Sequence, residues 1–119
     1  MSKKHILIVD DEDLIRETLC GELSYLDLVV HEASNGEKAV DILQENKIDI
    51  LITDIKMPQK DGFYVLDYIK ERKIEHMVTF VCSGYYQDED EKLSNYSIEA
   101  IIRKPFDLVE VLDLIREYL

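Results

Sequence analysis

Five short apolar runs punctuate the chain, at residues 6–9, 28–30 (running on toward Ala33), 48–53 (broken only by Asp49), 77–82 and 100–102. They do not alternate with polar residues, so each predicts a strand covered on both faces, as strands of parallel sheets are. Between them the apolar spacing turns helical. Ile15, Leu19, Leu23 and Leu26 make one stripe, Ala39, Ile42 and Leu43 a second, Val65, Leu66 and Ile69 a third. In the last segment Leu108, Val111, Leu112, Ile115 and Leu119 line one face, and Asp107 with Glu110 predicts a capping box at its start. Residues 87–96 predict the weakest helix. It has little apolar stripe, and its acids Asp88, Glu89, Asp90 and Glu91 read as a solvated face.

Strand and helix therefore alternate five times. That order predicts an α/β fold, doubly wound, with helices on both faces of a five-stranded parallel sheet. Ligands of such sheets bind beyond the carboxyl ends of the strands. Asp10, Asp11, Glu12 and Asp13 follow the first strand, Asp54 the third, Ser83 and Gly84 the fourth, and Lys104 and Pro105 the fifth. Strands one, three and five are expected as close neighbours. Two carboxylates about 4 Å apart repel by about 4 kcal/mol at an effective dielectric near 20. Asp10, Asp11 and Asp54 in one pocket would need protons or a cation among them, and a hard divalent ion such as Mg²⁺ suits oxygen ligands. The arrangement predicts a phosphoryl-transfer site. Asp54 would be the nucleophile, the metal and Lys104 would offset charge on the phosphoryl oxygens, and Ser83 and a backbone N–H near Gly84 would donate hydrogen bonds. Singly, these residues have simpler readings: Asp11 or Asp13 as a helix cap, Lys104 as a surface charge.

Composition narrows the partners. With 119 residues the chain is read as one domain, residues 1–119. Its 26 acids against 14 bases leave a formal charge of -12, which disfavours nucleic acid and anionic membranes. The apolar runs are too short for a membrane span or a signal peptide, so the expected location is the cytoplasm. Cys20 and Cys82 read as buried apolar side chains, and His5, His31 and His76 as ordinary histidines. Tyr85, Tyr86, Tyr96 and Tyr118 read as scattered exposed tyrosines that could also serve a partner contact.

Four linked stretches, HILIVDDED, ILITDIKMPQKDG, VCSG and IIRKPF, make the sequence resemble a response regulator receiver domain of two-component signalling over essentially its whole length. The resemblance implies a flavodoxin-like fold with strand order 2-1-3-4-5. It implies Asp54 as phosphoacceptor and Mg²⁺ held by Asp10, Asp11, Asp54 and the Lys56 carbonyl. Ser83 and Lys104 would contact the phosphoryl group, with a cis peptide before Pro105. Met57, Pro58, Asp61 and Gly62 match the loop that shapes the site, Gly62 as a turn residue. The implied partners are a histidine kinase or phosphotransfer protein, and an effector reached by switching the surface of helix four, strand five and helix five, which could also form a homodimer. In place of enzyme turnover, such a domain catalyses its own phosphorylation and dephosphorylation. Lys56 and Tyr85 would tune phosphate lifetime. Ile101 stands where receivers often carry Phe or Tyr, Ser83 where threonine is commoner, and Ser97 where a glycine often ends helix four.

Three other readings compete. A haloacid-dehalogenase-like phosphatase would use Asp11-Glu12-Asp13, but Ile15 stands where that motif needs Thr or Val. A pseudo-receiver would bind partners without phosphorylation, against which the retained Asp11, Asp54, Ser83 and Lys104 weigh. Calcium binding by Asp88 to Glu91 lacks the loop glycine and a bidentate Glu at the right distance. The cognate kinase and output are not written in these residues, and the chain reads equally as a single-domain regulator or the leading part of a longer protein.

Overall fold

The computed structural model describes residues 3–84 and 87–119; Tyr85 and Tyr86 lie outside the described residues. Strands β1 (Lys4–Val9), β2 (Leu28–Ala33), β3 (Ile50–Asp54), β4 (Val78–Ser83) and β5 (Ala100–Arg103) alternate with helices α1 (Asp13–Leu23), α2 (Gly36–Glu45), α3 (Gly62–Glu71), α4 (Gln87–Leu93) and α5 (Leu108–Arg116). All strand pairs are parallel, in the order β2-β1-β3-β4-β5. This is the order 2-1-3-4-5 that the resemblance implies, with β4 lying between β3 and β5.

The unbroken apolar runs serve both faces at once. Ile6, Ile8, Ile50, Ile52 and Phe80 pack with Leu19, Leu23, Val111 and Ile115 of α1 and α5. The intervening residues Leu7, Val9 and Leu51 pack with Ala39, Leu43 and Val65 of α2 and α3. A third cluster joins Ile55, Phe63, Leu66, Val81 and Leu93, and Tyr96, Ile98 and Ile101 lean on it. Period-two side-chain alternation within an all-apolar strand fills two cores from one short segment.

Helix details depart from expectation in places. α1 stops at Leu23, so Leu26 packs from beyond it. Arg16 is buried on the face of Leu19, Cys20 and Leu23. α4 ends at Leu93 and stops short of Tyr96. Asp107 caps α5 by accepting from the Val109 N–H, where a capping box would use Glu110. Gly62 has no positive φ. It is the first residue of α3, where a Cβ would land on the Asp54 carbonyl oxygen and 2.8 Å from Ile55 Cα. Close approach of α3 to β3, and not a turn, requires glycine there.

Cys20 and Cys82 are buried and unbridged, with burial pushing their thiols up to about 11 and about 12. His5 lies within β1 and stacks on His31 of β2, with Nδ1 and Nε2 2.9 Å apart. Tyr96 and Tyr118 are half-buried where exposure was expected. Tyr96 donates its hydroxyl to Asp67 and packs near Phe63, and Tyr118 meets Phe80 edge-on.

Candidate functional site

The ends of β1, β3, β4 and β5 open into a cleft of about 580 Å³. Asp11, Glu12, Asp54, Lys56, Ser83, Glu89, Lys104 and Phe106 are among the residues lining it. Asp54 is the last residue of β3, and only 5% of it is exposed. Its Oδ1 accepts from the Ile55 N–H, and its Oδ2 accepts from Lys104 Nζ at 2.7 Å. Lys104 reaches this point because its own N–H bonds to the Ser83 carbonyl, drawing the end of β5 alongside β4. The Lys104–Pro105 peptide is cis.

Asp10, also buried, receives the Glu12 N–H on Oδ1, and its Oδ2 lies 3.8 Å from Lys104 Nζ. One oxygen each from Asp10, Asp11 and Asp54 lies within 4.8 Å of the others. Burial pushes Asp54 up to about 6 against the pull of Lys104, and it also raises Asp10. Lys104 is held above its ordinary pKa by Asp54 and Asp10, although burial works the other way. Asp10, Asp11 and Asp54 therefore bring more anionic charge together than the Lys104 ammonium beside them offsets. Three convergent carboxylates, two of them buried and reluctant to ionise, are the donor set a small hard cation needs.

The sequence-predicted residues Asp10, Asp11, Asp54, Lys56, Ser83 and Lys104 thus converge on one end of the sheet, and two others were missed. Ser83 Oγ does not point free into the cleft: it donates to Glu89 Oε1 at 2.7 Å. Glu89 Oε2 is 3.6 Å from Lys56 Nζ, and the Glu89 side chain is 11% exposed. Its neighbour Asp90 is gripped by both terminal nitrogens of Arg103 at 2.9 Å, and Arg103 also donates to the Gly84 carbonyl at 2.6 Å. The run read as a solvated face therefore turns two of its four acids inward or onto β5. The second omission is Arg16, which donates to the Asp10 carbonyl, Glu32 and Asp13, and so fixes the acidic loop after β1. In both cases helical phase held the signal: Arg16 shares a face with Leu19, Cys20 and Leu23, and Glu89 lies one turn before the buried Leu93.

Arg16→Met keeps the buried stem but orphans the Asp10 carbonyl. It is expected to lower stability by about 1–3 kcal/mol in urea unfolding. A midpoint equal to that of the native sequence would refute the bracing role.

The family model of the response regulator receiver domain matches residues 6–116. The transcriptional regulatory protein SrrA of Staphylococcus aureus is 34% identical over 106 residues, which span 89% of this chain and 44% of that protein. The chain thus matches less than half the length of this curated relative. Among solved structures, a CheY-like response regulator receiver domain protein from Methanospirillum hungatei JF-1 has a TM-score of 0.88 at 26% identity, covering 98% of this chain and 94% of that one. The signal receiver domain of an HD domain-containing protein from Pseudomonas fluorescens Pf-5 has a TM-score of 0.87 at 26% identity, with 98% and 94% covered.

Proposed function

The chain belongs to the response regulator receiver domain family of two-component systems, and from that premise we propose that it accepts a phosphoryl group on Asp54 in a Mg²⁺-dependent reaction. The observation that carries this reading is the gathering of the Asp10, Asp11 and Asp54 oxygens beside Lys104 Nζ, which is already bonded to the acceptor carboxylate.

Asp54 Oδ1 or Oδ2 attacks the phosphorus of a phosphohistidine on a histidine kinase or phosphotransfer protein. The P–O bond forms as the P–N bond breaks, and the imidazole leaves with a proton from solvent. Mg²⁺, when bound, would supply positive charge to offset that on the phosphoryl oxygens. Asp10, Asp11 and Asp54 would hold the ion with their carboxylates, and Lys56 with its backbone carbonyl. Lys104 neutralises the second flank and follows the new phosphoryl oxygen once the Asp54 oxygen carries the phosphoryl group as an acyl phosphate. Ser83 donates its hydroxyl to the product.

An added charge of about -1.5 to -2 then biases the packing of α4, β5 and α5, where Ile101 sits half-buried against the cluster of Phe63, Val81 and Leu93. That surface recruits the effector or a second copy. The domain signals, catalysing only the gain and loss of its own phosphate, and it works in the cytoplasm, where a kinase can reach it.

The test is uptake of phosphate from a small acyl phosphate with Mg²⁺, followed by intact mass. One phosphate per chain is expected, and chelation of the metal should reduce uptake to background. Undiminished uptake in chelator would remove the metal from the reading, and uptake on an aspartate of the first loop would favour the phosphatase alternative.

A further inference from the structure

Glu89 holds the two groups that an incoming phosphoryl oxygen would need on its side of the cleft. Its carboxylate accepts from Ser83 Oγ at 2.7 Å and lies 3.6 Å from Lys56 Nζ, and all three residues line the cleft that contains Asp54 and Lys104. A carboxylate that receives a hydroxyl proton and faces an ammonium offers the chemistry of a phosphoryl oxygen. The arrangement is anchored from the next residue, because Asp90 is forked by Arg103 of β5.

We propose that Glu89 is a positioning residue that occupies Ser83 and Lys56 before phosphorylation, and that both groups are handed to the phosphoryl oxygens as Glu89 is expelled. The proposal rests on the phosphoacceptor reading above. Like charge is the driving force: a phosphoryl group on Asp54 repels Glu89 and competes for its hydrogen bond to Ser83. The released carboxylate leaves at the start of α4, a segment that the Arg103–Asp90 fork couples to β5. The energy of the Glu89 contacts is thereby set against phosphoryl binding, which makes the residue a brake on the chemical step and a lever on α4.

The brake is measured with fluoroberyllate, a phosphoryl analogue, titrated in Mg²⁺ and followed by the amide spectrum. Glu89→Gln keeps the shape and an acceptor for Ser83 but discards the charge. It is expected to tighten fluoroberyllate binding about tenfold, the difference between a charge-assisted and a neutral bond. Asp88→Asn removes an equal charge from an exposed neighbouring position and should change affinity by less than about twofold. In a Ser83→Ala background the gain from Glu89→Gln should shrink to less than half, because one of the two groups it restrains is gone. Glu89→Ala should tighten binding in the same direction. Affinity unchanged in both Glu89 variants, or raised no more than in Asp88→Asn, would overturn the brake while leaving the phosphoacceptor reading standing. A native domain that binds no fluoroberyllate in Mg²⁺ would overturn both.

Discussion

With asparagine in place of Asp54, phosphate uptake is expected to fall to background while the metal-free domain is expected to melt higher at pH 7 than the native sequence. The loss is chemical, since an amide oxygen is too poor a nucleophile for the transfer. The gain in stability follows from the environment of Asp54. Burial raises its pKa from 3.8 to about 6, against the opposing pull of Lys104 and with the help of Asp10. A carboxyl group whose folded pKa is raised contributes stability that is complete below the unfolded value and is lost as pH rises through the folded one. Ionised Asp54 therefore costs stability across a window from about pH 4 to about pH 6, and the cost is full at neutral pH. Asparagine avoids it and still accepts from Lys104. Allowing for screening, the expected gain is about 1–2 kcal/mol, or roughly 5 °C in melting temperature at pH 7 in chelator. It should vanish by about pH 4, where the native carboxyl is protonated too. A variant that melts lower at pH 7, or keeps its advantage undiminished at pH 4, would contradict the assignment of this cost to Asp54.

Gly62→Ala should destabilise the domain by about 2–4 kcal/mol, whereas Gly21→Ala should stabilise it by about 0.5–1 kcal/mol. Both glycines are helical, and helix propensity alone favours alanine at each. They differ in what a new Cβ meets: at Gly21 nothing lies within 4 Å, while at Gly62 the Asp54 carbonyl and Ile55 Cα stand in the way. Those atoms are backbone and cannot rotate aside. Relief requires α3 to retreat from the end of β3, loosening the Gly62 N–H bond to the Ile55 carbonyl and shifting Asp54. The Gly62 variant should thus melt about 10 °C lower and take up phosphate more slowly even when folded. Paired thermal melts decide the matter, because shifts of the same sign in the two variants would deny the close-approach argument. Gly36 makes a similar contact from α2, where a Cβ would lie 2.7 Å from the carbonyl oxygens of Lys60 and Asp61. The loop between β3 and α3 is therefore pressed by glycines from two helices.

Much of this architecture was legible in the residues themselves. Runs such as Ile6 to Val9 announce strands covered on both sides, and the carboxyl-end rule then selects Asp10, Asp11, Asp54 and Lys104 from 26 acids and 14 bases, with Ser83 beside them. Strand order was not legible, because each pairing depends on which crossover packs where, and it came only through resemblance. Side-chain partnerships were harder still. Arg16 and Glu89 carry charge, and polarity argues for solvent; their burial becomes reasonable only once the Asp10 carbonyl and the Ser83 hydroxyl are seen to need partners. Gly62 was noticed for the wrong reason, since a lone glycine can mean freedom of φ or absence of a Cβ, and only the neighbouring backbone distinguishes them.

Cys82 sits opposite Asp54 in the β3–β4 register, sealed in the sheet with its thiol pushed up to about 12. A thiol reagent can meet it only during excursions that open the core it shares with Leu19, Val111 and Ile115 of α1 and α5. Its labelling rate is therefore an internal clock for opening of that helical layer beside β4, readable without any engineered probe.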